Sequence, residues 1–124
     1  MKDFLNSFVK CLGRLEEILG KEKSITNRDA AIKRFEFTVE LGWKLVQKFL
    51  REQEIICRSP RECLDEAFKF GMIDDDPKWL QMIKDRNLTT HTYDENLADE
   101  VYARLPGYLG LFKSLKEQLE KKTR

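Results

Sequence analysis

Histidine is almost missing: His91 is the only one, and there are just three cysteines and three prolines among 124 residues. Each scarcity excludes something. Cys11, Cys57 and Cys63 are odd in number and form no C-x-x-C pair. They predict neither a disulfide scaffold nor a zinc site, and such usage fits a reducing cytoplasm. No apolar run approaches the roughly 18 residues needed to span a bilayer. The opening MKDFLNSFVK is amphipathic and contains acid, unlike a signal peptide. A Gly-Ser dipeptide, a phosphate loop and a dinucleotide fingerprint are all absent. The chemistry of a nucleotidyltransferase itself, which needs a Gly-Ser turn beside strand-borne carboxylates, is therefore not expected. An excess of one charge is lacking too, with 23 basic residues against 22 acidic and a formal net charge of +1. That balance describes a solvated surface, so any contact with RNA must be local. Sustained two-residue alternation does not occur, and no strands are predicted.

Helical periodicity is plentiful. At 124 residues and 41% hydrophobic, the chain is expected to form one domain, 1–124, around one core. Phe4, Leu5, Phe8, Leu12, Leu15 and Leu19 recur at three- and four-residue steps, and Gly20 offers a stop. A long helix is predicted over 27–52, its stripe of Ile32, Phe35, Val39, Val46 and Leu50 widened by Leu41, Leu45 and Phe49. Inside it, Gly42 would permit close approach of another backbone. In SPRE, Ser59 reads as an N-cap, Pro60 as the first helical residue and Glu62 as the reciprocal member of a capping box, with Gly71 ending that helix. Asp76 reads as the cap of a fourth helix opening at Pro77. A fifth begins after Tyr93 and Asp94, and Pro106 predicts a kink or break near Arg104 and Leu105. The fold class expected is all-α, an antiparallel bundle of four or five helices.

Chemistry concentrates in RNLTTHTYDE, residues 86–95. Arg86 offers a planar fork of donors suited to phosphate. His91 can give or take a proton near neutrality, its unperturbed pKa being about 6.5. Asn87 lies four positions before His91, so on a helix it would share a face and orient the imidazole. Arg86, five positions away, would lie about 140° around an ideal helix and would converge only through its length, a distortion or a partner chain. A phosphate clamp with a neutral-pH proton carrier suits phosphodiester cleavage in which the RNA 2′-hydroxyl attacks and no metal is needed. The plainer alternative is a helix-end histidine, with Arg86 paired to Asp85 or Glu95.

Arg86, His91 and Tyr93 together resemble the R-x4-H-x-Y motif of HEPN-domain proteins. RFEFTVELGWKLVQKFL, RSPRECLDEAFKFGMIDD and THTYDENLADEVY are similar to the family of nucleotidyltransferase substrate-binding proteins, and the likeness runs over roughly residues 4–119. The resemblance implies a homodimer with two motifs facing across a cleft, and a separate small nucleotidyltransferase as partner. It implies, for members like the HepT toxin, a metal-independent ribonuclease that the partner silences by transferring AMP. By position, Arg86 would hold phosphate, His91 would move the proton, Asn87 would support them and Tyr93 would accept AMP. The same family has also been read as a binding subunit without catalysis of its own. No cofactor or metal is expected: Asp74, Asp75 and Asp76 before Pro77 suit capping and the helix dipole.

Overall fold

The computed structural model describes residues 1–123, and among them every regular element is helical. Helix α1 spans Lys2–Leu19 and buries Phe8, Leu12, Leu15 and Ile18. Helix α2, Ile25–Glu52, begins two residues before the expected Asn27 because Ser24 Oγ accepts the Asn27 amide at 3.0 Å. Helix α3, Pro60–Phe70, opens on Ser59, whose Oγ accepts the Glu62 amide at 3.1 Å. The reciprocal bond from the Glu62 side chain does not form among the described residues, so the capping box is half made. Gly71 closes α3 at φ 89°, a left-handed conformation that costs glycine nothing. Helix α4, Lys78–Leu88, starts one residue later than expected, with Pro77 at the N-cap, and Asp76 Oδ1 accepts the Lys78 amide at 2.9 Å from just before it. Helix α5 runs from Glu95 to Lys122.

The break expected at Pro106 is not present. Helix α5 continues through it, with Pro106 on the exposed side and Leu105 and Tyr108 buried beside it. Proline removes one amide donor, but burial of both flanking turns in the same core outweighs that loss. Gly42 also differs from expectation. What lies against it is the ring of Phe8, 3.2 Å from where a Cβ would stand, not another backbone.

Neighbouring contacts fix the helix directions. Phe8 meets Gly42 while Arg34 donates to the Arg14 carbonyl at 2.8 Å, so α1 and α2 are antiparallel. Asp85 meets Arg104 and Tyr108, and Met82 lies near Phe112 and Leu115, so α4 and α5 are antiparallel as well. The two long helices run the same way: Arg28 pairs with Glu95, Phe35 stacks on Tyr108, and Gly42 faces Leu115. Phe8, Phe35, Tyr108 and Phe112 form the aromatic centre of the core. This parallel pairing brings the N-terminal ends of α2 and α5 together, and the α4–α5 connection crosses beside them.

The cysteines depart from expectation. Cys57 and Cys63 are joined in a disulfide, with Cα atoms 5.0 Å apart, and Cys11 is free. The chain leaving α2 turns back through Gln53 and Glu54, and the Gln47 side chain holds the Cys57 carbonyl at 2.8 Å. The first turn of α3 then carries Cys63 over Cys57. Spacing alone does not disclose that return. Closing a loop this short constrains the unfolded chain by about 2 kcal/mol. Reduction, or the Cys57→Ser/Cys63→Ser double change, should therefore lower unfolding free energy by about that amount in a urea titration. An unchanged midpoint in the double variant would show that the bond does not stabilise the fold.

Candidate functional site

The segment after α4 is a short 3-10 turn, Thr89–His91, followed directly by the Asp94 cap of α5. Its threonines terminate α4. Thr89 Oγ donates to the Arg86 carbonyl at 2.6 Å, and Thr92 Oγ donates to the Thr89 carbonyl at 3.0 Å. The Asp94 amide then returns to the His91 carbonyl at 3.1 Å, while Asp94 Oδ1 accepts the amides of Asn96 and Leu97. Orphaned backbone groups are thereby satisfied within the turn itself, which leaves the side chains of His91 and Tyr93 free to face solvent. Tyr93 is 81% exposed, and the two rings meet edge to face at 6.1 Å between centroids.

Arg86 occupies the last turn of α4. Its guanidinium forms an ion pair with Glu40 of α2 and approaches Asn87 Oδ1 at 3.4 Å. Neither partner proposed from sequence, Asp85 or Glu95, takes that role. Nor does Asn87 orient the imidazole: it lies beside Arg86, and no hydrogen bond joins it to His91 among the described residues. The 3-10 turn removes the four-residue helical register that this idea required. Within one chain the structure thus groups Arg86 with Asn87 and Glu40, and His91 with Tyr93, on successive turns. Glu40 went unremarked in the sequence. Its signal is an acid placed between Val39 and Leu41 on a broadly apolar helix.

Two ionic clusters, each built on one buried charge, bracket the turn. Before it, Asp85 is 2% exposed and accepts from Arg104 Nε at 2.8 Å, Arg104 Nη2 at 2.6 Å and Tyr108 Oη at 2.5 Å. After it, the buried Arg28 donates to Glu95 at 2.7 Å, Asp29 at 3.0 Å and Asp99 at 3.2 Å, and Lys23 joins through Asp99. The hydrogen bond to Glu95 is the main influence raising Arg28 above its ordinary value, so it stays charged. Arg28 and Lys23 hold Asp99 below the usual carboxylate range. No group of three or more metal-ligating side chains occurs among the described residues. No described helix is long and apolar enough to cross a membrane.

The chain and its fold have counterparts among known proteins. The family model described as "Nucleotidyltransferase substrate binding protein like" matches residues 3–121. The chain belongs to that family. It is 36% identical over 97 residues to a Haemophilus influenzae protein named "Probable ribonuclease HepT", a match covering 74% of this chain and 66% of that protein. A crystal structure from Thermus thermophilus superposes with a TM-score of 0.85 at 40% identity, covering 90% of this chain and 98% of the other. A Haemophilus influenzae structure described as revealing the fold of a substrate binding domain of a nucleotidyltransferase gives 0.83 at 32% identity, covering 94% and 98%. The helical fold read from the sequence is thus that of the HEPN, HepT-like group.

The cluster before the turn has a pH signature. Burial first, then the adjacent Asp85 carboxylate, pushes the Tyr108 phenol well above its ordinary value of about 10. Because the folded value is the higher one, the contribution of Tyr108 is fully present below about pH 10 and is lost as pH rises further. In an alkaline absorbance titration, the Tyr108 phenolate should appear only with unfolding, and Tyr108→Phe should remove that late step. A Tyr108→Phe curve identical to wild type would contradict the assignment.

Proposed function

We propose that this protein is a metal-independent ribonuclease of the HEPN type, the toxin of a two-gene module whose nucleotidyltransferase silences it by AMP transfer. The observation that carries the reading is the clamped turn on which His91 and Tyr93 stand side by side in solvent, one helical turn beyond Arg86. In the proposed reaction the RNA 2′-oxygen attacks phosphorus and loses its proton to a histidine. The bond to the 5′-oxygen breaks, and that oxygen takes a proton from a second histidine. Arg86 holds the non-bridging oxygens, whose charge grows in the transition state. One chain supplies one histidine, so base and acid together require a homodimer with its two turns facing a shared cleft.

A cellular RNA substrate puts the protein in the cytoplasm. There the Cys57–Cys63 bond meets reducing thiols, and burial of both sulfurs slows exchange by denying the attacking thiolate access. A second reading, a substrate-binding subunit without catalysis, is supported by the family description and by the similar Haemophilus influenzae structure described as a substrate binding domain of a nucleotidyltransferase. Both readings keep the nucleotidyltransferase as partner.

Purified dimer should cut cellular RNA in the presence of a chelator. Arg86→Ala and His91→Ala should each reduce cleavage by at least two orders of magnitude, because removing a transition-state donor or a proton carrier costs on that scale. Their melting temperatures should stay near wild type. Activity abolished by the chelator and restored by magnesium would exclude this mechanism, as would a strictly monomeric protein in light scattering.

Tyr93 separates the two readings. AMP on its phenolic oxygen would set a phosphodiester anion two residues from His91, attracting Arg86 and filling the place of the RNA phosphate. Incubation with the partner nucleotidyltransferase, ATP and magnesium should add AMP at Tyr93, detectable by intact mass, and stop cleavage. Tyr93→Phe should cut RNA and resist silencing. Absence of AMP transfer together with an inert unmodified dimer would leave the binding-subunit reading.

A further inference from the structure

Beside Arg86 lies an open groove of about 360 Å3, with Pro60 and Arg61 on one wall and Leu80, Ile83, Lys84 and Asn87 on the other. The α4 residues follow the three- and four-residue spacing of one helix face, while Trp79, Met82 and Asp85 on the other side of α4 are buried. Arg61 and Lys84 are exposed, and neither enters an ion pair among the described residues. The opposite wall is anchored by the Cys57–Cys63 bond and the Ser59 cap. On the far side of Leu80 a second groove has the reverse sign, lined by Asp65, Asp74, Asp75 and Asp76. Leu80 borders both and is 40% exposed. A chain that is nearly neutral overall therefore segregates its charge locally, with the cationic side leading to Arg86.

We propose that this groove holds the backbone of single-stranded RNA next to the scissile bond, with Arg61 and Lys84 each contacting a phosphate. The inference rests on the ribonuclease reading above. Phosphates along a strand seated at Arg86 meet the unpaired Lys84 and Arg61 in this groove, and the carboxylates across the Leu80 ridge bound the cationic path at its far end. Pro60, Leu80 and Ile83 supply an apolar floor against which sugar and base faces lose water. From Leu80 to Asn87 the helix rises about 10 Å, enough for a short stretch of strand. An acidic protein surface would answer to the same cations, but it would not require a path continuous with the phosphate site.

The test measures binding apart from cutting. A fluorescent single-stranded oligoribonucleotide is titrated with His91→Ala protein over a series of salt concentrations. Each of Arg61→Gln and Lys84→Gln should make the slope of log affinity on log salt shallower by about 0.7, and the double variant by about 1.4. The single variants make the result independent of how the double variant folds. In the cutting-competent chain the same changes should raise KM and leave kcat unaltered. Wild-type cleavage with an unchanged slope and KM in the double variant overturns the groove and leaves the ribonuclease standing. The expected slope changes with no cleavage by wild type overturn the ribonuclease and leave a binding groove. Polyglutamate of matched charge displacing the oligonucleotide as well as RNA does would assign the groove to an acidic protein surface and overturn the proposal.

Discussion

A carboxylate removed from water costs several kcal/mol unless its charge and its lone pairs are both satisfied, and Asp85 is such a carboxylate. Arg104 meets it with two donors and Tyr108 with a third. That demand fixes α4 against α5 in rotation as well as in distance, since only one face of each helix carries the required groups. The next residue along α4 is Arg86, so the placement of the candidate phosphate ligand follows from the satisfaction of its buried neighbour. Arg28 makes the matching constraint on the other side of the turn, tying the start of α2 to the start of α5. Between these two fixed ends only a few residues remain, and their own threonine hydroxyls consume most of the backbone groups left over.

This explains which parts of the site could be read from sequence and which could not. The helix starts were legible because capping is local: Ser59, Asp76 and Asp94 each bond an amide two or three residues ahead. Arg86, His91 and Tyr93 stood out in the sequence by residue type and spacing. The partners of Arg86 and Asp85 were not, since Glu40 precedes Arg86 by 46 positions and Arg104 follows Asp85 by 19. Surface charges are abundant here, and nothing local distinguishes the one acid that α2 presents to α4. Pro106 shows the converse. Local chemistry predicted a kink or a break, and the break does not occur, because the turns on both sides bury large side chains in one core.

The ion pair of Arg86 with Glu40 also bears on how a phosphate ligand would be used. Both side chains are partly exposed, 32% and 27%, although the Glu40 Oε1 that meets Arg86 is itself buried, so the pair is more open to solvent than Asp85. Such a latch keeps the guanidinium extended towards the turn when no substrate is present. A phosphodiester monoanion offers Arg86 two non-bridging oxygens for bidentate contact, and the transition state, in which those oxygens gain charge, offers more than the Glu40 carboxylate does. Exchange of one for the other therefore need not cost much, and it becomes more favourable as charge accumulates during bond breaking, which is the direction that favours the transition state over bound substrate.

Near-neutrality of the whole chain imposes a further constraint on any nucleic-acid reading. With a net charge of +1, long-range attraction of a polyanion is slight, and recognition has to come from where the charges stand. Arg28 and Arg104 are each paired with carboxylates close by, the exposed Glu95, Asp29 and Asp99 around the one and the buried Asp85 beside the other, and so contribute little outward field. Arg61 and Lys84 are not so paired among the described residues, and the acids that balance them in the total lie across the Leu80 ridge, largely in the α3–α4 connection. Separation of opposite charges over two adjacent grooves yields a direction rather than an affinity. A strand would be oriented before it is held, and the end so directed is the one that carries Arg86, His91 and Tyr93.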